Sequence, residues 1–364
     1  MISLADPRFE EAERMAVDRV LADGMVADGP EVRKFEKEFA NFCDAEHAVA
    51  AANGTAALHA ALEALEIGQG DTVVTTPFSF VASSNAIRLA GATPVFADID
   101  PATFNLDPEA ADQAVARSDA DAVLVVHLYG LPANMAAFQD LAEDRDVKLI
   151  EDAAQAHGGT YWESSVGSFG DAAAFSFYPT KNMTTGEGGI VLAKSEAVAD
   201  RAASYVNHGR TGDGTYAHQR VGHNYRMTSL AAAIGRVQLE KLPAWIDRRR
   251  SNAATLSSAL EGLPDLKTPT EPVGRKHAYH QYTLRTSRRE SLRDSLEAAD
   301  VASGTYYPTP IHKLEAYEGF DPSVPNAEQA AEEVLSLPVH PHLSASDLDR
   351  IVEATRSAVR QPSA

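Results

Sequence analysis

The sequence predicts an α/β fold, with a mostly parallel central sheet flanked by helices and a smaller α+β domain at the C-terminal end. Three observations carry that reading. From about residue 48, short apolar runs alternate with segments of helical period, as a parallel sheet covered on both faces requires. Several of these runs close in polar residues, at the strand ends where such sheets bind ligands. Beyond residue 243 the order changes to one strand and a set of helices.

The first clear helix is TAALHAALEAL at 55–65, followed by a strand VVTT at 73–76 and a helix VASSNAIRLA at 81–90. PVFADI at 94–99, AVLVVHLY at 122–129 and VKLIEDA at 147–153 read as apolar strands, with helices at 108–117 and 134–145 between them. After Gly170, AAAFSFY and GGIVLA follow closely as strands, then a helix at 195–207 and a polar, Gly-rich stretch at 208–224. An Ala-rich helix runs from Thr228 to Leu242, and Pro243, which lacks an N–H, is expected to break it. An Arg-heavy amphipathic helix at 244–261, a loop at 262–274, the strand HQYTLRT and helices near 288–299, 326–335 and 344–361 complete the chain. Pro243 therefore divides a large domain, 1–243, from a small one, 244–364.

Composition excludes several classes of function. At 364 residues with 44% apolar and 23% charged side chains, the chain has an ordinary globular make-up and is far larger than a stapled mini-protein. Its 52 acidic against 32 basic residues give a net charge of −20, which repels a phosphate backbone and disfavours nucleic acid. No apolar run is long enough for a membrane span, and residues 1–30 show no basic segment ahead of an apolar one. The single cysteine, Cys43, allows no internal disulfide and fits a reducing cytoplasm. Acid excess with only nine lysines also fits a high-salt, halophilic cytoplasm, where screening relieves self-repulsion.

Chemistry concentrates in three places. Asn53, Gly54 and Thr55 open the first helix, where free N–H groups and the helix dipole favour a phosphate, although Thr55 could equally be a helix cap. Asp152 closes the strand VKLIED, and Gln155 and His157 follow it; a carboxylate at a buried strand end needs a cationic or hydrogen-bonding partner unless it caps a turn. In FSFYPTKNMTTGEGG, Ser176 stands near a strand end and Lys181 in a Pro-bent loop before a glycine cluster. A lysine, a serine, a helix N-terminus and an aspartate in one cleft suit pyridoxal 5'-phosphate, whose aldehyde forms a Schiff base with lysine and whose ring nitrogen pairs with a carboxylate. Neither G-x-x-x-x-G-K-[ST] nor G-x-G-x-x-G after a first strand is present, so a nucleotide loop is not supported.

These segments, with TPFSFVASSNAI, GATPVFADID, VHLYG, NHGR and GHNYRMTSLAAAIGRVQLEKL, resemble the DegT/StrS family of sugar aminotransferases, from DGMVADGPEV at 23–32 to SLPVHPHL at 336–343. The resemblance implies the aspartate aminotransferase fold, fold type I. It makes Lys181 the Schiff-base lysine and proton shuttle, and Asp152 the partner of the ring nitrogen. It assigns Gly54, Thr55 and Ser176 to the phosphate, Gln155 to the phenolic oxygen and Phe80 to stacking on the ring. Asn224, in a Gly222-His223 context where Gly-Tyr is commoner, would reach the phosphate of a second subunit, with Arg226 beside it. Lys181 itself argues against the dehydratases of the family, which carry His there.

The implied reaction moves an amino group from glutamate to a nucleotide-linked keto-sugar in a cytoplasmic homodimer. The 4-keto position of a 6-deoxyhexose, as in perosamine synthases, is the expected site, with a 3-keto-sugar, a cyclitol ketone or a non-catalytic scaffold as alternatives. Arg226, His157 and His312 are candidate substrate contacts, with His157 equally open to a place in the core, and Tyr307 lies in the same YYPTPIH motif as His312. His208 is open between substrate contact and core. His340 and His342 have H-x-H spacing without a supporting carboxylate cluster, so no metal is expected. Arg248, Arg249 and Arg250 read as a solvated face, and Cys43 as a small core residue.

Overall fold

A computed structural model describes residues 1–211 and 216–360. Two helices precede the first strand: α1 (Glu11–Asp23), opened by a reciprocal Glu10/Glu13 capping box, and α2 (Pro30–Phe42), with Pro30 in its first turn. Val32, Phe35, Phe39 and Ala40 line the buried side of α2 at helical spacing. Then follow β1 (His47–Ala51), α3 (Gly54–Ala64), β2 (Thr72–Thr75), α4 (Ala82–Leu89), β3 (Thr93–Phe96), α5 (Pro108–Ser118), β4 (Ala122–Val126), α6 (Met135–Arg145) and β5 (Lys148–Asp152). A small ladder of β6 (Thr160–Tyr161) and β7 (Ser164–Ser165) leads to β8 (Ala172–Ser176), β9 (Gly189–Ala193) and α7 (Glu196–Val206).

The large sheet has the order β1-β9-β8-β5-β4-β2-β3. The five strands from β8 to β3 are parallel, while β9 runs antiparallel to both β8 and β1. Register sets up the site: Gly189 lies opposite Ala51 on one side and Ser176 on the other. The end of β8 and the start of α3, separated from β1 by two residues, are thereby brought to the same sheet end. Strands β4, β8 and β9 are buried along their whole length, which is why they read as continuous apolar runs without alternation.

The helix expected to end at Pro243 instead continues as α8 (Ser229–Leu260), 32 residues long. Pro243 sits on the exposed face, where water can satisfy the carbonyl it leaves without a partner. The second half of α8 packs with β10 (Leu266–Lys267), β12 (Tyr282–Thr286), α9 (Arg289–Ala298), β13 (Val334–Leu337) and α11 (Ala345–Arg360), while β11 (Arg275–Lys276) pairs with β6. Residues 334–335, read from the sequence as the end of a helix, open strand β13 (Val334–Leu337); helix α10 covers only Pro325–Glu333. The run VLSL is fully buried, and pairing with β12 overrides its helical continuity. Phe35, Phe39, Phe175 and Phe177 form an aromatic knot that joins α2 to the sheet, each burial worth about 2–3 kcal/mol.

Candidate active site

A cavity of about 820 Å³ opens at the carboxyl ends of the parallel strands. One wall is the start of α3, where the Asn53 side chain caps the helix by accepting the Ala56 N–H at 2.9 Å. Gly54 is pressed against β8, so that a Cβ there would stand 2.7 Å from the Ser176 Cβ. Backbone N–H groups, the Thr55 side chain and the Ser176 hydroxyl thus converge on one corner, an anion cradle with the helix dipole behind it.

Asp152 stands buried at the end of β5, the strand next to β8, and lines the same cavity. Its Oδ2 accepts from the Ser83 hydroxyl at 2.7 Å and its Oδ1 from the Ala154 N–H at 3.2 Å. Burial raises its pKa, opposed by those two donors and by the positive charge of Lys181. A buried carboxylate held this way calls for a cationic partner in the cavity. Its neighbour Glu151 points to the other face of the sheet, as strand alternation requires, and accepts from the N–H groups of Gly167, Phe169 and Gly170. His127 accepts the Ala133 N–H at Nδ1, so a neutral ring carries its proton on Nε2 and donates it to Glu151 at 2.9 Å. This buried pair fixes the loops on either side of β5.

Lys181 projects into the cavity from the loop after β8. Loss of hydration lowers its pKa to about 8, with Asp152 pulling it back up. Gln155 is anchored by the Tyr129 N–H at Oε1 and donates from Nε2 to the Tyr307 hydroxyl at 2.8 Å. Tyr129 in turn donates to the Tyr306 carbonyl, which ties the 306–307 segment to the floor. Phe80 is half exposed in the cavity, its ring 6.2 Å from that of Tyr307. His280, Glu187 and Tyr225 also line it and were not singled out from the sequence. Ser83 was missed too; its signal is the buried serine pair in the amphipathic stretch VASSNAIRL.

Other candidates lie outside the cavity lining. His157 is fully buried among Phe39, Phe175 and Phe177, and burial holds its pKa down to about 3. His312 packs beside Phe96 with its Nε2 3.1 Å from Glu328. Asn224 is exposed and pairs with Asn207 across a backbone bridge, while Arg226 donates to the Asn207 side chain at 2.8 Å. His208 is exposed. Arg249 departs from the solvated-face reading: it is buried and donates to the carbonyls of Tyr279 and His280, while Arg250 pairs with Glu271. Cys43 is a buried core residue. Among the described residues, no cluster of His, Cys, Asp or Glu could hold a metal ion, and no helix is long and apolar enough to cross a membrane.

The cradle at Gly54 and Ser176, with a lysine and a buried carboxylate in the same cavity, fits pyridoxal phosphate at its phosphate, aldehyde and ring nitrogen. Residues 7–356 match the DegT/DnrJ/EryC1/StrS aminotransferase family. The chain is 39% identical over 345 residues to the dTDP-3-amino-3,4,6-trideoxy-alpha-D-glucose transaminase of Streptomyces venezuelae, covering 94% of this chain and 90% of that one. It is 35% identical over 362 residues to the GDP-perosamine synthase of Caulobacter vibrioides, covering 97% of each. The crystal structure of S. venezuelae DesV superposes with a TM-score of 0.93 at 38% identity, covering 96% of this chain and 95% of that one. Enzymes of this family carry pyridoxal phosphate in Schiff-base linkage to a lysine. The chain belongs to the DegT/DnrJ/EryC1/StrS family and is a pyridoxal-phosphate-dependent aminotransferase.

Proposed function

We propose that the protein transfers the amino group of glutamate to a nucleotide-linked keto-sugar, at the 4-keto position of a 6-deoxyhexose. The observation that carries the chemistry is that Lys181, Asp152 and the start of α3 all line one cavity. When bound, pyridoxal phosphate supplies an electron sink for the charge left as a proton leaves the substrate carbon. Asp152 would keep the ring nitrogen protonated, and the buried Ser83 bond orients its carboxylate. With a pKa of about 8, Lys181 is deprotonated in part near neutral pH and can take and return a proton at Nζ. Gly54, Thr55 and Ser176 would hold the phosphate, Gln155 the phenolic oxygen, and Phe80 would cover the ring.

A second reading, transfer at the 3-keto position, is favoured by the 39% identity to a transaminase whose name specifies a 3-amino sugar, against 35% for the perosamine synthase. Incubation with glutamate and a panel of nucleotide keto-sugars, with the new amine placed by NMR, decides between them. Amine at C4 supports the first reading, amine at C3 the second, and no amino-sugar from any acceptor contradicts both.

We also propose a cytoplasmic homodimer in which Asn224, exposed and outside its own chain's cavity, serves the partner's phosphate site, with Arg226 beside it. Sedimentation of the holoenzyme as a monomer would contradict this. The division into domains 1–243 and 244–364 is proposed as two cores that share α8.

A further inference from the structure

A second, smaller cavity, of about 30 Å³, borders the loop 179–184 that carries Lys181. Its walls come from that loop, from the chain start at 5–8, from α8 at Gln238, Trp245 and Arg249, and from His342 near the other end of the chain. Space of this size admits about two particles as large as a water molecule.

Arg249 is the wall residue that the fold leaves incomplete. It is only 5% exposed, and both hydrogen bonds it donates, to the Tyr279 and His280 carbonyls, leave from Nη1, while Nε is buried without a partner. Among the described residues no carboxylate pairs with it. The acids nearby are committed elsewhere, Asp6 to Arg8 at 2.7 Å and Glu13 to Lys241 at 2.7 Å. Burial lowers the Arg249 pKa to about 10, with no acid opposing it, so the group is still charged at neutral pH. Burial and the charges of Arg249 and Arg8 push the pKa values of His340 and His342 down against the pull of Asp6, which marks a positive potential at the cavity. A buried charge without a counter-ion is costly, because burial strips its water and supplies no opposite charge. The loop adds neutral donors: the N–H groups of Asn182 and Met183 donate to no carbonyl or side chain among the described residues. One acceptor there, the Asn182 Oδ1, is also buried without a partner.

We propose that this cavity is a chloride-binding site, with Arg249 its cationic ligand and the backbone at 182–183 its neutral donors. The space fits one chloride and one water, and that water donates both to the ion and to the Asn182 Oδ1. Phosphate, sulfate and carboxylate ions need more room, so the site selects a monatomic anion. The ion ties the Lys181 loop to α8 and fixes the backbone beside the lysine. It stands apart from the phosphate corner, which belongs to the larger cavity at Gly54 and Ser176, and the inference is independent of which keto-sugar is the acceptor.

The test uses the holoenzyme, with bromide, a slightly larger halide that scatters anomalously, as the crystallographic probe. Crystals soaked in potassium bromide should show an anomalous peak in the cavity beside Arg249. In solution, exchanging gluconate for chloride at constant ionic strength keeps charge screening fixed. The melting temperature should then rise by about 2 °C at a chloride concentration about tenfold above the dissociation constant, and level off beyond it. Arg249→Met, which removes the charge and keeps most of the bulk, should lose both the bromide peak and that rise. If Arg249→Met does not fold, the bromide map and the melting curve of the unaltered protein decide. A cavity without bromide overturns the proposal, as does a melting temperature that ignores the exchange. A peak with no chloride-dependent rise marks an adventitious ion only and overturns it too, and so does a rise shared equally by the variant.

Discussion

Gly54 and Ser176 are in direct contact across the corner of the cavity, with the missing side chain of one leaving just the space that the other's Cβ requires. The contact follows from register, since Ala51 and Ser176 flank Gly189 on adjacent strands. Gly54→Ala would gain helix propensity, worth under about 1 kcal/mol in a first turn. It would also force a Cβ to 2.7 Å from Ser176 within a fully buried strand that cannot retreat. Overpacking of this kind costs about 1–3 kcal/mol, so the clash wins. Urea unfolding should show the variant destabilised by that amount, and cofactor affinity should fall about tenfold; an unchanged midpoint and affinity would mean the corner is not closed as described.

Asp152→Asn should leave the fold intact, because Ser83 can still donate to the amide oxygen. A neutral amide cannot hold a ring nitrogen protonated, so the glutamate half-reaction should slow by about a hundredfold or more. Stopped-flow absorbance checks this, and a rate near that of the unaltered enzyme would remove Asp152 from the chemistry.

Glu36 gives a pH dependence away from the site. Its carboxyl is buried between α2 and β1, accepting the Ala50 N–H at 2.8 Å, and burial raises its pKa to about 7 despite Arg33. A raised carboxyl pKa means the folded state holds the proton longer than the unfolded state. Stability from this group is therefore full below about pH 4.5 and is lost as pH rises through 7. Relative to Glu36→Gln, the unaltered protein should lose on the order of 3 kcal/mol between pH 4 and pH 8. Parallel stability curves for the two proteins across that range would contradict the assignment.

The net charge of −20 motivates the proposal that the source is halophilic. At about 1 M salt the Debye length falls to about 3 Å, which relieves repulsion among surface carboxylates. The melting temperature should therefore rise from low to molar potassium chloride. A flat or falling curve would reject the halophilic reading and leave the site untouched.

Much of the candidate site was legible because the polar residues that line the cavity sit where apolar runs of a parallel sheet stop. Asp152, Ser176 and Lys181 each stand at or just beyond such an end, and Gly54 and Thr55 open the first clear helix. Direction was not legible. His157 shares a motif with Asp152 and Gln155, yet the backbone turns its ring into the Phe39 and Phe175 knot, and no spacing rule reports that turn. Helices α1 and α2 went unread because charged residues crowd their apolar stripe, and Pro243 misled because its exposed position in α8 was invisible in the sequence. Arg249 looked like its neighbours Arg248 and Arg250; only the carbonyls of Tyr279 and His280, brought in by the C-terminal half of the chain, make it a buried residue.

The central claim is that Lys181 carries amino transfer from glutamate to a sugar ketone. The direct measurement is mass spectrometry of the sugar product after turnover with nitrogen-15-labelled glutamate, run in parallel on the unaltered enzyme and on Lys181→Ala loaded with cofactor. The unaltered enzyme should give an amino-sugar bearing the heavy nitrogen, and Lys181→Ala, still binding cofactor through the phosphate corner, should give none. Labelled product from Lys181→Ala at a comparable rate, or unlabelled sugar from the unaltered enzyme with every keto-sugar tried, would contradict the account.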